Sequence, residues 1–238
     1  LQPGLFCCAL CQGAETVNIK FGARQGSFQK MESPSAKVGP LLIGLHSNEA
    51  TSIRVARNLL PRYAMTLVVI DGGGQRRISL RPGSNRVTID PNRVFSLAGV
   101  TRDLNRFSIF SEREAKLSAA FGESIVNTFQ IDGSRPIIAL HNNTNGGYSI
   151  DSYLQGGSEE KAAAQVSRGP VAPDNFVLVT HPKLYEDLAK LNVNVVLQDI
   201  RKAPDDVSLS VFCGRRVFGY VNVEAQHGAE AEQLNMLE

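Results

Sequence analysis

The stretch Leu41-Leu42-Ile43-Gly44-Leu45-His46-Ser47-Asn48-Glu49 decides the fold. Its first five residues form a continuous apolar run, which is typical of a strand buried on both faces of a sheet. Ser47 or Asn48 can cap a helix, and apolar residues then recur at helical spacing until Pro61 ends it. A buried strand followed directly by an amphipathic helix is the repeating unit of an α/β domain.

The rest of the chain continues this alternation. Ser111 and Glu114 form a capping box in front of a long helical pattern. A polar segment at 25–37 predicts a loop, and the Gly- and Asn-rich segment 142–175 predicts a long surface excursion with a short helical piece near 159–166. Further strands are predicted at 17–21, 65–70, 87–89, 137–140, 176–180, 193–197, 207–213 and 216–223. The fold class is therefore α/β: a three-layer sandwich with a mixed, mostly parallel sheet covered by helices on both faces, in a single domain at 14–238.

Composition narrows the class of protein. The chain has 238 residues, of which 42% are hydrophobic and 20% charged, as in ordinary globular proteins. Its 25 Lys and Arg residues against 23 Asp and Glu residues give no electrostatic case for binding nucleic acid. No apolar run approaches the length of a membrane-spanning helix, so no membrane span is predicted. The sequence makes no prediction of the oligomeric state.

The first thirteen residues have two interpretations. Residues 5–10 are apolar and are followed by small and polar residues, as at the end of a secretion signal, but no basic segment precedes them. Residues 1–13 are therefore an N-terminal leftover or a processed signal remnant. The second interpretation would make the protein exported, to the periplasm or another extracytoplasmic compartment.

Four titratable residues lie at predicted strand ends, where open α/β sheets bind their ligands. They are His46, Asp90, His141 and Glu224. His46 and Glu49 form an H-x-x-E pair, which on its own also fits a capped helix start with two solvated groups. With His141, which on its own would be a hydrogen-bonded strand-end histidine, they make a His-Glu-His set for one zinc ion that leaves a position for water.

Two further elements add to this set. Asn92 and Arg93 follow a strand, and a guanidinium can grip a substrate carboxylate in two places; the alternative is a turn around Pro91 with a surface arginine. Glu224 can take a proton from water and pass it to a leaving amine, or it can end its strand in a salt bridge. His227, three residues later, is expected to shape this base or touch substrate.

Taken together, these residues resemble a known family. The order His46-x-x-Glu49, Asp90-x-Asn92-Arg93-x-Phe95, His141 and Glu224 is similar to that of the zinc carboxypeptidases and the related aspartoacylase and succinylglutamate desuccinylase amidohydrolases. The resemblance implies a mixed eight-stranded sheet between helices. It also implies zinc on the two histidines and Glu49, a substrate carboxylate on Asn92 and Arg93, and Glu224 as general base.

The resemblance also implies an arginine that stabilises the oxyanion and a tyrosine that closes over substrate. Arg86, with Arg81 as its rival among Arg76, Arg77, Arg81 and Arg86, is the predicted arginine; Tyr148, with Tyr153 as its rival, is the predicted tyrosine. The chain departs from the family pattern at Ser47, where Gly is usual, and at Pro91, where Leu is common. A second segment, Asp103-Leu104-Asn105-Arg106-Phe107, matches the family's usual wording better, but Asn92 and Arg93 directly follow a strand and remain the prediction.

The predicted function is a zinc-dependent hydrolase of an amide bond, similar to metallocarboxypeptidases and acting on a short or cell-wall peptide with a free carboxylate. The first alternative is an N-acyl-amino-acid amidohydrolase of the aspartoacylase type. The second is a non-catalytic carboxylate-binding protein on the same scaffold. The chain contains no G-x-S-x-G elbow and no G-x-G-x-x-G loop, which disfavours serine hydrolases and dehydrogenases.

Overall fold

A computed structural model describes residues 13–21, 24–35, 38–81, 84–206 and 208–238. Its strands are β1 (Glu15–Phe21), β2 (Arg24–Glu32), β3 (Leu41–Gly44), β4 (Thr66–Asp71), β5 (Ile78–Arg81), β6 (Ser84–Ile89), β7 (Ile137–Asn143), β8 (Ala163–Ser167), β9 (Phe176–Val179), β10 (Asn194–Gln198) and β11 (Tyr220–Gln226). Its α-helices are α1 (Ala50–Leu59), α2 (Leu97–Phe107), α3 (Glu112–Thr128), α4 (Pro182–Leu188), α5 (Leu209–Arg215) and α6 (Glu230–Leu237). The predicted N-terminal remnant, at 1–13, lies almost wholly outside the described residues.

Nine of the described strands form one sheet in the order β1-β2-β4-β3-β7-β11-β9-β10-β8, and β5 pairs with β6 in a separate antiparallel ribbon. In the sheet, β3, β4, β7 and β11 are joined by parallel pairings. β1 and β8 run in the same direction as these four, whereas β2, β9 and β10 run in the opposite one. The mixed, mostly parallel sheet that the apolar runs predicted is therefore confirmed.

Helices cover both faces because successive strand residues alternate between them. In β3, Leu41 and Ile43 pack into the core beneath α2, α3 and α5, while Leu42 packs against α1 on the opposite face. α4 covers β9 and β10 on this second face, where Tyr185 packs on Val195 and its neighbours. The three-layer α/β sandwich is confirmed.

The predicted helix after the capping box is also confirmed. Ser111 caps α3 by accepting a hydrogen bond from the backbone amide of Glu114. Phe121 on this helix is fully buried, with its ring centroid 4.5 Å from that of Phe21 on β1 and 6.1 Å from that of Phe28 on β2. These contacts hold α3 against the antiparallel edge of the sheet.

Three local predictions are wrong. The segment 25–37 is not a loop, because most of it lies in β2, whose polar residues occupy its half-buried positions. The segment 207–213, predicted as a strand, contains instead the first five residues of helix α5, and the following strand begins at Tyr220 rather than at 216. The predicted helical piece near 159–166 is one 3₁₀ turn, Glu160–Ala162, followed by β8.

Among the described residues, no helix combines the length and the apolar character needed to cross a bilayer.

Candidate metal centre and active site

The structure brings His46, Glu49 and His141 together. All three are buried, and one potential ligand atom from each lies within 4.8 Å of the other two. The carboxylate of Glu49 lies between the two imidazoles: its Oε1 is 2.8 Å from His46 Nδ1, and its Oε2 is 3.1 Å from His141 Nδ1. This buried group could hold a metal ion.

The topology explains why these residues meet. β3 and β7 are adjacent and parallel, with Leu41 opposite Ile137, so their carboxyl ends reach the same edge of the sheet. His46 follows β3 by two residues, and His141 lies in the last half of β7. A turn closed by the Glu49 amide and the His46 carbonyl, 3.3 Å apart, then brings Glu49 back over His46 at the start of α1.

The donor set fits zinc. Two imidazole nitrogens and one carboxylate oxygen are the ligand types of catalytic zinc sites, which keep a fourth position open. Two ligand atoms about 2.1 Å from a tetrahedral ion lie about 3.4 Å apart. Glu49 Oε1 lies 2.8 Å from His46 Nδ1 and 3.4 Å from His141 Nδ1, which is close to that spacing. A second favourable feature is that His46 Nε2, the ring nitrogen that faces away from Glu49, also has a hydrogen-bond partner.

Asp90 holds that nitrogen. Its Oδ1 lies 2.8 Å from His46 Nε2 and also accepts a hydrogen bond from the backbone amide of Asn92, at 2.8 Å. A carboxylate on the far nitrogen of a histidine ligand fixes the orientation of the ring and makes it a stronger ligand. The sequence predicts Asp90 at a strand end without a role in the site, although its position just before the Asn92-Arg93 pair is a signal for one.

Charge is concentrated at this centre. Burial opposes the charged form of His46, but Glu49 and Asp90 together raise the pKa of its imidazole to about 9. Burial likewise opposes ionisation of Glu49, but His141 and His46 lower its pKa to about 2. The pKa of Asp90 is also lowered, against the effect of burial, by the hydrogen bond and charge of His46 and by Arg76 and Arg93. Glu49 and Asp90 are therefore both ionised carboxylates at this centre, and their negative charge favours binding of a cation.

A cavity of about 620 Å³ opens beside the three residues. Of the predicted site residues, it is lined by Glu49, Asn92, Arg93, His141, Tyr148, Glu224 and His227. The rival pair, Asn105 and Arg106, lies elsewhere: both residues are exposed on α2, and Arg106 stacks over Phe107 with its guanidinium carbon 4.8 Å from the ring centroid. The structure therefore places Asn92 and Arg93, and not the rival pair, at the cavity.

Glu224 faces the cavity from β11. In the parallel pairing of β11 with β7, it lies directly opposite His141. Asn222, two residues earlier and on the same face, donates a hydrogen bond from its Nδ2 to Glu224 Oε1, at 3.1 Å. Burial raises the pKa of the Glu224 carboxyl, with a further contribution from Glu49, while His141 and Asn222 oppose the rise. A carboxylate of raised pKa beside a possible metal site has the character of a general base.

The cavity also contains an arginine that differs from the predicted one. Arg76 lies with Nη1 3.2 Å from Glu49 Oε1 and Nη2 3.3 Å from Asp90 Oδ2. The side chains of Arg86 and Arg81 lie outside the described residues, so the role predicted for Arg86 stays a prediction. Arg76 follows a turn whose glycines Gly73 and Gly74 both have positive φ. The sequence offered it as one of four arginines, but only the folded loop brings it to the cavity.

The predicted tyrosines form part of the cavity wall. The hydroxyls of Tyr148 and Tyr153 contact each other, and both rings pack on Phe176, with centroids 5.2 Å and 6.0 Å from it. Tyr153 is buried, whereas Tyr148 is partly exposed at the cavity. His227 lies just beyond β11, where its backbone amide donates to the Asn143 carbonyl at 3.0 Å.

Comparisons with known proteins bear on the fold. No family model matches this chain, and no curated protein matches it. Among solved structures, murein-tripeptide amidase MpaA from Escherichia coli O157 superposes with a TM-score of 0.50 and 15% identity, over 97% of this chain and 92% of that one. An aspartoacylase family protein from Mesorhizobium loti (TM-score 0.42, 14% identity, 94% and 66% of the two chains) and a succinylglutamate desuccinylase/aspartoacylase from Rhodobacter sphaeroides (0.43, 11%, 94% and 62%) also match. The chain thus shares its fold with murein-tripeptide amidase MpaA.

Proposed function

We propose that the protein is a zinc-dependent hydrolase of an amide bond that acts on a short peptide with a free carboxylate. The observation that carries this proposal is the convergence of a buried His46-Glu49-His141 group and a buried carboxylate, Glu224, on one cavity. Zinc bound by the three residues would polarise the substrate carbonyl and acidify the attacking water.

The protein's own residues supply the remaining chemistry. Glu224 accepts a proton from the water as its oxygen bonds to the carbonyl carbon, and then gives that proton to the amine nitrogen as the carbon–nitrogen bond breaks. Asn222 holds the Glu224 carboxylate in place through its 3.1 Å hydrogen bond. The product is a carboxylate and a free amine, with no other reactant than water.

Two arginines can stabilise negative charge at the cavity: one binds the substrate carboxylate, and the other stabilises the oxyanion of the transition state. Arg93 lines the cavity, is half-buried and can bind a substrate carboxylate, beside Asn92. The backbone N–H of Leu209 donates to Asn92 Oδ1 at 2.9 Å, so the Nδ2 group of Asn92 is left as a donor at the cavity. Arg76, which already contacts Glu49 and Asp90, is a second candidate for stabilising the oxyanion, beside the predicted Arg86.

The cavity has room for a short peptide. Its volume of about 620 Å³ lies within the range of sites that enclose a small ligand. MpaA acts on a murein tripeptide, as its name states, and a cell-wall peptide would be the corresponding substrate here. The walls around Arg93 would then hold the carboxyl end of the peptide.

Metal content and turnover test this proposal together. Protein purified without added metal or a metal-affinity tag should contain about one zinc ion per chain by elemental mass spectrometry. His141→Ala should lose the metal, and Glu224→Gln should keep it but lose hydrolysis of a panel of short peptides by at least about 100-fold. His181→Ala is the matched control, because His181 is exposed at the start of α4 and does not line the cavity.

Two outcomes would contradict the proposal. Stoichiometric zinc in His141→Ala would show that the metal binds elsewhere. Protein that neither contains zinc nor takes it up, and that still binds peptides, would support the non-catalytic carboxylate-binding alternative.

A further inference from the structure

Helix α1 begins without a capping side chain of its own. Glu49 stands directly before its first residue, where a Ser, Thr, Asp or Asn side chain usually accepts a hydrogen bond from a backbone amide of the first turn. The Glu49 side chain makes no such bond, because its carboxylate is turned towards the imidazoles of His46 and His141. This end of the helix is buried, with Ser52 fully so, and its amides therefore need an acceptor from elsewhere in the protein.

Asn142 on β7 supplies that acceptor. Its Oδ1 accepts a hydrogen bond at 3.0 Å from the backbone amide of Ser52, the third residue of α1. Its Nδ2 donates to the carbonyl of Ala225 on β11, 3.2 Å away. One buried side chain thus joins the start of α1 to β7 and β11, which place two of the proposed ligands and the proposed base.

The C-terminal helix α6 holds Asn142 in this orientation. Gln233 on α6 is fully buried, and its Oε1 accepts a second hydrogen bond from Asn142 Nδ2 at 3.2 Å. Reversing the Gln233 amide would place nitrogen against nitrogen, because the Ala225 carbonyl fixes which end of Asn142 is the donor. Gln233 Nε2 then has no acceptor in the part of the chain that the structure describes, which costs stability. What Gln233 contributes is therefore the position of Asn142 rather than the stability of the fold.

We propose that Asn142, held by Gln233, is a positioning residue for the metal centre. It caps α1 in place of Glu49 and so leaves the Glu49 carboxylate free to bind the metal ion. Without Asn142, that carboxylate at the helix start would be drawn to the Ser52 amide and away from the imidazoles. The inference rests on the proposed zinc hydrolase, because it assigns a role at that same site. It also makes α6 part of the centre, although no residue of this fully described helix lines the cavity.

Zinc affinity measured beside stability tests this role. Asn142→Leu removes the cap, so the zinc dissociation constant should rise by at least about ten-fold, the lower limit for loss of a group that supports a metal ligand. Gln233→Met has nearly the shape of glutamine and leaves the bond from Ser52 in place, so the constant should rise by about five-fold. The urea midpoint of metal-free Gln233→Met should stay that of the parent chain, because the lost hydrogen bond is offset by removal of an unpaired buried donor.

Leu234→Ala is the matched control on the same helix. Leu234 packs against the apolar cluster between α1 and the sheet and has no part in the bonds of Asn142. This variant should lower the urea midpoint and leave the zinc dissociation constant unchanged. A purely structural role for Gln233 would instead make the two variants of α6 behave alike.

Amide hydrogen exchange tests the cap without a metal. In metal-free Gln233→Met, the Ser52 amide should exchange at least about three-fold faster than in the parent chain, because its acceptor is held less firmly. The amide of Ala56, in the middle of α1, should exchange at the same rate in both proteins.

The results separate the positioning role from the proposed function. A zinc dissociation constant for Gln233→Met within about two-fold of the parent value, or an equal rise in Leu234→Ala, would overturn the positioning role, whether or not Asn142→Leu folds. A parent chain that binds no zinc would refute the proposed hydrolase. The Ser52 amide would then decide the cap by itself: faster exchange in Gln233→Met would leave the cap standing, and unchanged exchange would overturn it.

Discussion

Replacing Asp90 by asparagine should weaken zinc binding while leaving all three proposed ligands in place. Asp90 Oδ1 lies 2.8 Å from His46 Nε2, and Arg76 Nη2 lies 3.3 Å from the other carboxylate oxygen. Asn has almost the same shape, so its oxygen can still accept from the His46 ring and from the Asn92 amide. What the variant loses is the negative charge that makes His46 a stronger ligand.

The expected magnitude follows from these contacts. Loss of a group that supports a metal ligand costs about 10- to 100-fold in metal affinity. The retained hydrogen bond places Asp90→Asn near the lower limit, but the new amide nitrogen would meet the Arg76 guanidinium, donor against donor, which adds to the loss. We therefore expect the zinc dissociation constant to rise about 10- to 30-fold, which corresponds to about 1.4 to 2 kcal/mol.

Competition with a chromophoric zinc chelator near neutral pH measures this change. Asp132→Asn is the control, because that exposed carboxylate accepts from the Ser134 amide at 2.9 Å and lies outside the cavity. A dissociation constant for Asp90→Asn within two-fold of that of the parent chain, with zinc binding abolished in His141→Ala, would show that Asp90 does not support the ligand.

Three further predictions concern stability. Adding zinc to the metal-free protein at about 1,000 times the dissociation constant should stabilise it by about 4 kcal/mol, seen as a raised melting temperature that a chelator reverses; no shift would contradict a site present only in the folded state. Val217, just after α5, has φ +59°, so Val217→Gly should raise the free energy of unfolding in urea by about 1 kcal/mol. Gln130 has φ +54° but no β-branch, so Gln130→Gly should raise it by less. A lower free energy of unfolding for Val217→Gly would show that its backbone is not strained. Gly122→Ala would place a Cβ 2.0 Å from the Val94 carbonyl oxygen, behind the Asn92-Arg93 turn, so we expect a loss of more than about 2 kcal/mol, and an unchanged midpoint would show that α3 can move away.

Much of the fold was predictable because its central strands carry an unambiguous signal. The apolar run at β3 and the similar run at β4 can only be buried on both faces, and strands of that kind lie in the middle of a parallel sheet. The segment 207–213 carried a weaker signal. A short apolar run has no decisive period, and here tertiary packing of Leu209 and Cys213 against the sheet favours a helix. β2 was predicted as a loop because most of its residues are polar and it contains no apolar run.

The candidate site was predictable as far as strand ends define it. His46, His141 and Glu224 directly follow or end apolar strands, so their meeting at one edge could be expected from the topology alone. Arg76 could not be selected in the same way. It lies in the connection between β4 and β5, and the position of its guanidinium depends on how that loop folds over Glu49 and Asp90.

Residues on strands and residues in connections also differ in what they contribute to the proposed reaction: the former carry out the chemistry, and the latter select the substrate. Glu224 and His141 lie opposite each other in adjacent strands, so the proposed base and one proposed ligand are placed by backbone pairing that no loop can alter. Glu159, Asp206 and Arg93, which also line the cavity, belong to connections between elements, where substitutions are tolerated more readily. Asn222 joins the two groups, because its amide nitrogen holds Glu224 while its buried oxygen has no donor among the described residues and is left for a ligand. A substitution in the connections should therefore change which substrate binds, whereas a substitution of Asn222 should change binding and turnover together.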